Sequence, residues 1–139
     1  MRRILCLLAA ALALSAAPVF AQERMIAPDP TELAPGFRAC MSEADTDMAM
    51  SECYSAATAY WDAILNANFK KAMAACAQAS DGKVCRDTLR EAQRQWMRYR
   101  DAMIPVLMPE DAGTLQRVEA NAFVAEETKK QASLLGREE

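Results

Sequence analysis

The chain has 139 residues, a formal net charge of −3 and no histidine. This length is enough for one domain with a modest core. The acidic balance disfavours nucleic acid as a partner, because such binding depends on Lys and Arg neutralising phosphates. Without histidine there is no Ser–His or Cys–His pair, and the four glycines form no phosphate-binding loop. We therefore expect neither an enzyme nor a bound cofactor.

Residues 1–21 have the pattern of a secretory signal peptide. Arg2 and Arg3 form a basic start, an apolar run covers residues 4–17, and small residues precede Gln22. The apolar run is shorter than the roughly 20 residues that a membrane-spanning helix needs. The sequence predicts cleavage after Ala21 and export to the periplasm or the medium, without membrane insertion of the mature chain. An uncleaved anchor is the alternative.

Removal of the signal peptide makes the predicted mature chain more acidic. Loss of Arg2 and Arg3 leaves 14 basic residues against 19 acidic ones, a net charge of −5. A cationic partner would be attracted to such a surface.

Residues 22–36 come before the first helical pattern. The part from Ala27 to Gly36 holds three prolines and a glycine, a composition typical of irregular backbone. The sequence predicts a flexible proline-rich arm at residues 22–36 and a helical domain at residues 37–139.

Helical spacing of apolar residues dominates the rest of the chain, and no run alternates with the period of two that strands show. A short helix or turn is predicted from Gly36 to Glu43. A first long helix is predicted from Thr46 or Asp47, either of which can cap it, to about Gln78.

A second long helix is predicted from about Lys83 to Ile104, where Pro105 ends it because proline has no N–H to donate. Before it, Asp81 suits a turn or a cap, and Gly82 suits a left-handed helix stop. The side chains expected to face the neighbouring helix are spaced alternately by four and three residues. They are Cys85, Leu89, Ala92, Trp96, Tyr99 and Met103.

A third helix is predicted from Thr114 to about Leu135, after a loop from Pro105 to Gly113. Its apolar face is rich in alanine, which allows a neighbouring helix to approach closely. The predicted fold class is all-α: an antiparallel hairpin of two long helices with a third helix packed across it.

The cysteine count predicts a disulfide-stapled domain. Cys6 lies inside the signal peptide, which leaves Cys40, Cys53, Cys76 and Cys85. An even count in an exported chain indicates two disulfides, for which three pairings exist. Sequence distance favours Cys40–Cys53 and Cys76–Cys85. A zinc site is the rival interpretation, but the chain has no histidine and no CxxC motif.

The hairpin geometry predicts which residues lie at the same level. If the two long helices fold back near residue 81, Cys76 lies close to Cys85, within reach of a disulfide. The same arithmetic places Asp62 level with Arg100, which predicts an ion pair, Asn66 level with Trp96, and Phe69 near Gln93. Asn66 and Gln93 could each satisfy the other's amide or a backbone carbonyl. Such residues either fix the register of the two helices or bind a partner. Buried polar groups usually form hydrogen bonds within the protein, which favours the first interpretation.

These residues also carry a resemblance to a known family. The first long helix matches D-x-x-L-N-x-x-Y, with phenylalanine in the aromatic place, at Asp62, Leu65, Asn66 and Phe69. The second matches L-x-x-x-Q-x-x-W-x-x-Y-R-D at Leu89, Gln93, Trp96, Tyr99, Arg100 and Asp101. With Cys40 and the M-x-x-C motif that ends at Cys53, the chain resembles the lysozyme inhibitor LprI N-terminal domain family over about residues 40–135.

The resemblance implies a small exported helical domain with cysteine bridges in a bacterial envelope, and inhibition of lysozyme as the activity. One departure is that no cysteine follows Cys85, whereas the family often has one just after Y-R-D. The Cys76–Cys85 pair looks like a local replacement. The expected partner is lysozyme or another cationic envelope protein, and the protein is expected to be a monomer or a weak oligomer.

Two loops are candidates for contacting such a partner, residues 27–36 and residues 105–113. The second carries Glu110 and Asp111. The sequence does not distinguish between them.

Three other functions remain open. A Cu(I) site could use Met41, Met48 and Met50 near Cys40, because thioethers bind Cu(I), although methionine more often fills cores. A general interaction module of the envelope is a further possibility. Acid–base catalysis could use adjacent carboxylates, which the chain has at Glu126 with Glu127 and at Asp45 with Asp47, but acidic helix surfaces are far more common.

Overall fold

The computed structural model describes residues 31–137, and the predicted signal peptide and the arm up to residue 30 lie outside them. Within this range the chain forms helices and no strand. The helices are α1 (Phe37–Glu43), α2 (Asp47–Gln78), α3 (Gly82–Leu107) and α4 (Thr114–Leu135). The all-α prediction is confirmed, and the predicted α4 bounds coincide with those observed.

Helix α2 begins where a side chain can satisfy one of its free N–H groups. The hydroxyl of Thr46 accepts a hydrogen bond from the backbone N–H of Ala49 at 3.2 Å, as its predicted capping role requires. Asp47 adds a negative charge to the first turn, which the helix dipole favours. The predicted start and end of this helix are both confirmed.

The turn between α2 and α3 is tight, and it needs glycine for a different reason from the one predicted. Gly82 is the first residue of α3 and does not adopt a left-handed conformation; among the described residues only Gly36 has a positive φ. A Cβ at Gly82 would lie 2.7 Å from the carbonyl oxygen of Cys76. Glycine is therefore required by the close approach of two backbones.

Both predicted disulfides are present. Cys76 and Cys85 close the hairpin with their Cα atoms 5.4 Å apart. Cys40 and Cys53 join α1 to the first turns of α2 with a Cα separation of 5.8 Å. Because α1 has no buried residue, this second disulfide is its strongest connection to the fold.

The prediction that α3 ends at Pro105 is wrong, because the helix continues to Leu107. Proline removes only its own N–H, which leaves the carbonyl of Asp101 without a helical partner. Asp101 and Pro105 are exposed, so water can replace that bond. The helix then closes with the N–H of Met108 donating to the carbonyl of Ile104 at 2.8 Å.

Helix α4 packs closely along α2, and the two run in parallel. The hydroxyl of Thr114 donates to the carboxylate of Asp47 near the two helix starts. The side-chain amide of Asn68 donates to the carbonyl of Ala132 near the two ends. The alanine-rich face allows this approach, and Ala125 and Ala132 are completely buried.

The segment 31–36 packs into the groove between α2 and α4. Ala34 is buried against Ala57 of α2 and Ala125 of α4, surrounded by partly buried aromatic side chains. The indole N–H of Trp61 donates to the carbonyl of Leu33 at 2.6 Å. The sequence predicts a flexible arm over residues 22–36, of which the part before Thr31 lies outside the described residues.

This arrangement brings the two ends of the described chain together. Thr31 and Arg137 line one depression of about 520 Å³ between the segment 31–36 and the end of α4. In the range from Thr31 to Arg137, no helix has the length and apolar character needed to cross a membrane.

Candidate functional site

One end of the helical bundle is acidic and carries no basic residue over long stretches. It comprises the start of α2, the end of α3, the loop 108–113 and the start of α4, and we name it the acidic end. Residues 39–69 contain no Lys or Arg, and neither do residues 101–116. The acidic residues of these two stretches are Glu43, Asp45, Asp47, Glu52, Asp62, Asp101, Glu110 and Asp111.

The connection between α3 and α4 forms the tip of the acidic end. Glu110 and Asp111 are both exposed there. Glu110 lines a surface depression of about 480 Å³ together with Pro105, Met108 and Arg117. The carboxylates of this tip are therefore accessible to a partner.

Large apolar side chains are also exposed at the acidic end. Val106 is 69% exposed, Met48 is 58% exposed and Leu115 is 55% exposed. Met48 and Leu115 each follow a member of the Asp47–Thr114 hydrogen bond, so they lie on adjoining helix starts. Exposed apolar groups with a polar rim are typical of protein-binding surfaces.

The other end of the bundle has the opposite charge. Residues 70–100, which hold the stapled turn and most of α3, carry eight basic residues and three acidic ones. The basic residues are Lys70, Lys71, Lys83, Arg86, Arg90, Arg94, Arg98 and Arg100. The molecule is therefore polarised along its length.

The motif residues of α2 differ in their environments. Leu65 is buried at 3% exposure, and Asp62 and Phe69 are half-buried. Asn66 is exposed, and its amide donates to the carbonyl of Asp62 at 2.8 Å. This backbone carbonyl is one of the two partners predicted for Asn66. The other, the amide of Gln93, is wrong, because Gln93 accepts a hydrogen bond from Gln131 of α4 at 3.0 Å.

The predicted ion pair between Asp62 and Arg100 is also wrong. The guanidinium of Arg100 bonds to the carboxylate of its neighbour Asp101 at 3.0 Å. It also lies over the ring of Trp96, 4.9 Å from the centroid, as a cation–π contact. A shared level in the hairpin does not make two side chains face each other.

The side of α3 that faces the bundle differs from the predicted row at two positions. Ala92 and Tyr99 are exposed, whereas Gln93 and Arg100 are half-buried with Cys85, Leu89, Trp96 and Met103. The ring of Tyr99 still reaches Phe123 of α4 in an edge contact, with the centroids 6.1 Å apart. Helix α3 therefore touches both α2 and α4, but none of its residues is buried.

The comparison with protein families decides which family this is. The model of the family described as lysozyme inhibitor LprI matches residues 38–135, most of the chain. The chain belongs to the lysozyme inhibitor LprI family. The comparison with curated proteins found no significant match, and neither did the comparison with solved structures. The resemblance drawn from the sequence motifs is thereby confirmed.

In this member of the LprI family, sequence reasoning missed several residues that hold the bundle together. Lys129 donates to the carbonyl of Glu32 at 2.9 Å and lies over the ring of Trp61. Asn68 bonds to α4, and Thr128 is completely buried with its hydroxyl donating to the carbonyl of Val124. The partners of Asn68 and Lys129 lie 64 and 97 residues away in sequence, and helical spacing carries no signal for such pairs.

Two of the four carboxylates considered for catalysis have structural partners in this LprI-family chain. Glu127 accepts a bond from Lys130 at 2.7 Å, and this contact raises the pKa of Lys130. Asp47 accepts the hydroxyl of Thr114. These two side chains are therefore part of the surface and of the helix packing.

A metal site finds little support in the structure of this LprI-family domain. Within residues 31–137, no group of three or more His, Cys, Asp or Glu side chains could hold a metal ion. Cys40 has no free thiolate, because it is bonded to Cys53. Of the three methionines in the copper hypothesis, Met48 is exposed, and Met41 and Met50 are half-buried. The copper hypothesis now depends on these thioethers alone.

Proposed function

We propose that this LprI-family protein is an exported, non-enzymatic inhibitor of lysozyme or of a similar cationic envelope hydrolase. The family match over residues 38–135 is the observation that supports inhibition. The two disulfides agree with an oxidising compartment such as the periplasm or the medium. Cleavage after Ala21 would release the domain as a monomer or a weak oligomer.

We assign the binding surface to the acidic end. A surface of one sign raises the rate at which an oppositely charged partner arrives, and this gain falls as salt rises. Glu110 and Asp111 are placed at the tip, where they would meet a cationic enzyme first. The basic half of the chain would be turned away from it.

The exposed apolar side chains would supply the affinity that the charges alone do not. A few buried apolar anchors usually carry most of the binding energy of a protein interface, and charged residues at the rim contribute less. Met48, Val106 and Leu115 are the candidates for such anchors, since they are exposed within the acidic end.

Of the two loops that the sequence leaves open, we favour the second. The carbonyls of Glu32 and Leu33 are occupied by Lys129 and Trp61, and Ala34 is buried. Insertion of this segment into an enzyme cleft would break those contacts. In the described part of the chain, no residue of the loop 108–113 is buried, which makes this loop the better candidate.

The test is lysozyme turnover on cell-wall substrate with the mature protein added at stoichiometric amounts. We expect slower turnover, and normal turnover at micromolar excess would contradict the proposal. The variant Val106→Ser/Leu115→Ser should weaken inhibition about tenfold or more if these side chains are anchors. Both are exposed, so the fold should be retained.

Charge variants locate the binding surface. Glu110→Gln/Asp111→Asn should slow association several-fold at low salt and much less at high salt. Asp81→Asn/Asp87→Asn makes the same change in net charge at the opposite end and serves as the control. Equal effects of the two variants would show that only net charge matters, and the assignment to the acidic end would fail.

A further inference from the structure

A row of basic side chains runs along the outer face of α3. It consists of Lys83, Arg86, Arg90, Arg94 and Arg98, and we name it the basic ridge. The four arginines are spaced by four residues, which places them on one helix face about 6 Å apart along the axis. The side chains of Lys83, Arg90 and Arg94 are 87%, 48% and 53% exposed, Arg98 is exposed, and Arg86 is half-buried. None of these five residues belongs to the acidic end.

The acidic residues on this face neutralise the ridge only in part. Asp87 bonds to Lys83 at 2.7 Å and to Arg90 at 3.1 Å, and Glu91 bonds to Arg94. Five cations against two carboxylates leave a net charge of +3 on residues 83–98. Exposed ion pairs of this kind are weak, so the arginines can exchange a carboxylate for a phosphate at small cost. Arginine suits this exchange, because its planar group binds phosphate in a bidentate manner.

Apolar side chains accompany the basic ridge. Val84 lies in its first turn and is 66% exposed, and Met97 lies between Arg94 and Arg98 and is 39% exposed. A soluble polyanion would contact the charges and gain nothing from these groups. A lipid surface offers phosphates with apolar chains just beneath them, and it satisfies both kinds of side chain.

We propose that the basic ridge docks this protein on an anionic phospholipid surface, with α3 lying along that surface. The net charge of the whole chain would oppose such binding, but charge effects fall off over about 8 Å at physiological salt. Roughly 14 Å of helix separates Arg98, the last residue of the ridge, from the end of α3, and the carboxylate of Asp101 between them is bonded to Arg100. The surface therefore senses the ridge and not the acidic end. The proposal does not depend on lysozyme inhibition.

Vesicle co-sedimentation of the mature protein tests the proposal. We expect binding to phosphatidylcholine vesicles that contain phosphatidylglycerol, loss of binding at about 0.5 M salt, and no binding to pure phosphatidylcholine. Arg94→Gln/Arg98→Gln should reduce partitioning by about 30-fold, at roughly fivefold for each cation. The control Arg38→Gln/Arg117→Gln removes the same charge away from the ridge and should have a much smaller effect. Equal losses, or no binding at low salt, would overturn the proposal.

A second variant separates lipid from other anions. Val84→Ser should weaken vesicle binding about threefold through lost apolar contact and leave binding to soluble polyphosphate unchanged. If polyphosphate binds as tightly as the vesicles and Val84→Ser has no effect, the ridge is a polyanion site and the lipid proposal fails. Lysozyme turnover measured with Arg94→Gln/Arg98→Gln should equal that of the unmodified protein. A failure of one proposal is thus distinguishable from a failure of the other.

Discussion

Trp61 joins three parts of the chain that are distant in sequence. Its indole N–H donates a hydrogen bond to the carbonyl of Leu33, and the ammonium group of Lys129 lies over its ring. The side chain also packs against the core of small residues. Lys129 also donates a hydrogen bond to the carbonyl of Glu32. The segment 31–36 is therefore attached to α2 through Trp61 and to α4 through Lys129.

This role predicts the effect of Trp61→Phe. Phenylalanine keeps an aromatic ring but leaves the carbonyl of Leu33 without its donor, which should cost about 1–2 kcal/mol of unfolding free energy. Denaturant unfolding measures this change. Tyr60→Phe alters a 38% exposed neighbour and should stay within about 0.5 kcal/mol of the unmodified protein. Equal stability of the two variants would contradict the role given to the indole N–H.

At the residue level, the sequence does not predict what each side chain of α3 touches. Arg100 and Gln93 were expected to contact α2, yet Arg100 bonds within its own helix and Gln93 bonds to α4. Helical spacing gives the level of a residue along the axis. The direction of its side chain depends on where the neighbouring helices lie, and that is a property of the whole bundle.

The helices differ in how firmly they are held. Helices α2 and α4 bury small side chains against each other, whereas α3 has no buried residue in the described chain. The disulfide between Cys76 and Cys85 keeps the first turn of α3 next to the end of α2. Its main effect should therefore be to hold α3 in place.

The variant Cys76→Ala/Cys85→Ala tests this effect. Loss of a cross-link that closes so short a loop should cost about 3 kcal/mol. Hydrogen exchange should show lost protection in α3, with α2 and α4 largely protected. In Cys40→Ala/Cys53→Ala the exchange of α3 should stay unchanged, because that disulfide joins α1 to α2. Uniform loss of protection in the first variant would show that α3 is held by packing.

Helix α3 should also respond to acid. Lys83 lowers the pKa of Asp87, and Arg94 lowers the pKa of Glu91, through hydrogen bonds to the ionised carboxylates. A pKa that is lower in the folded state stabilises the protein above the usual values of 3.8 and 4.5, and this contribution is lost as pH falls through the folded value. Both groups are exposed, so the loss should be small.

Urea unfolding at pH 7 and near pH 3 measures this contribution. Asp87→Asn/Glu91→Gln should lower stability slightly at pH 7 and should show a smaller fall in stability on acidification than the unmodified protein. An equal fall in stability in both proteins would show that other groups cause the sensitivity to acid.

The bounds of the helices could be predicted because their end signals are local. Thr46 caps α2 with its own side chain, and the start of α4 after Gly113 follows from the change in residue pattern. The end of α3 could not be predicted from Pro105 alone. Whether a proline in the last turn is tolerated depends on the exposure of the carbonyl that it leaves unpaired.

For the molecule as a whole, the charges are separated between the two ends of the bundle. The sequence shows acidic and basic stretches, and the fold determines at which end each stretch lies. The first half of α2 and residues 101–116 lie far apart in the chain, and the hairpin brings them to the same end. The net charge of the chain predicts an acidic surface but does not predict this separation. The folded chain has an acidic end and a basic half, and the two proposals assign a different partner to each.

The nearness of Thr31 to Arg137 has a consequence for the order of the chain itself. Both residues border one depression, so a short linker could join the two ends of the domain without disturbing any helix. New ends could then be opened in the exposed loop before α4. Such a circularly permuted chain should fold, and the same closeness would let the domain be inserted as a unit into a surface loop of another protein.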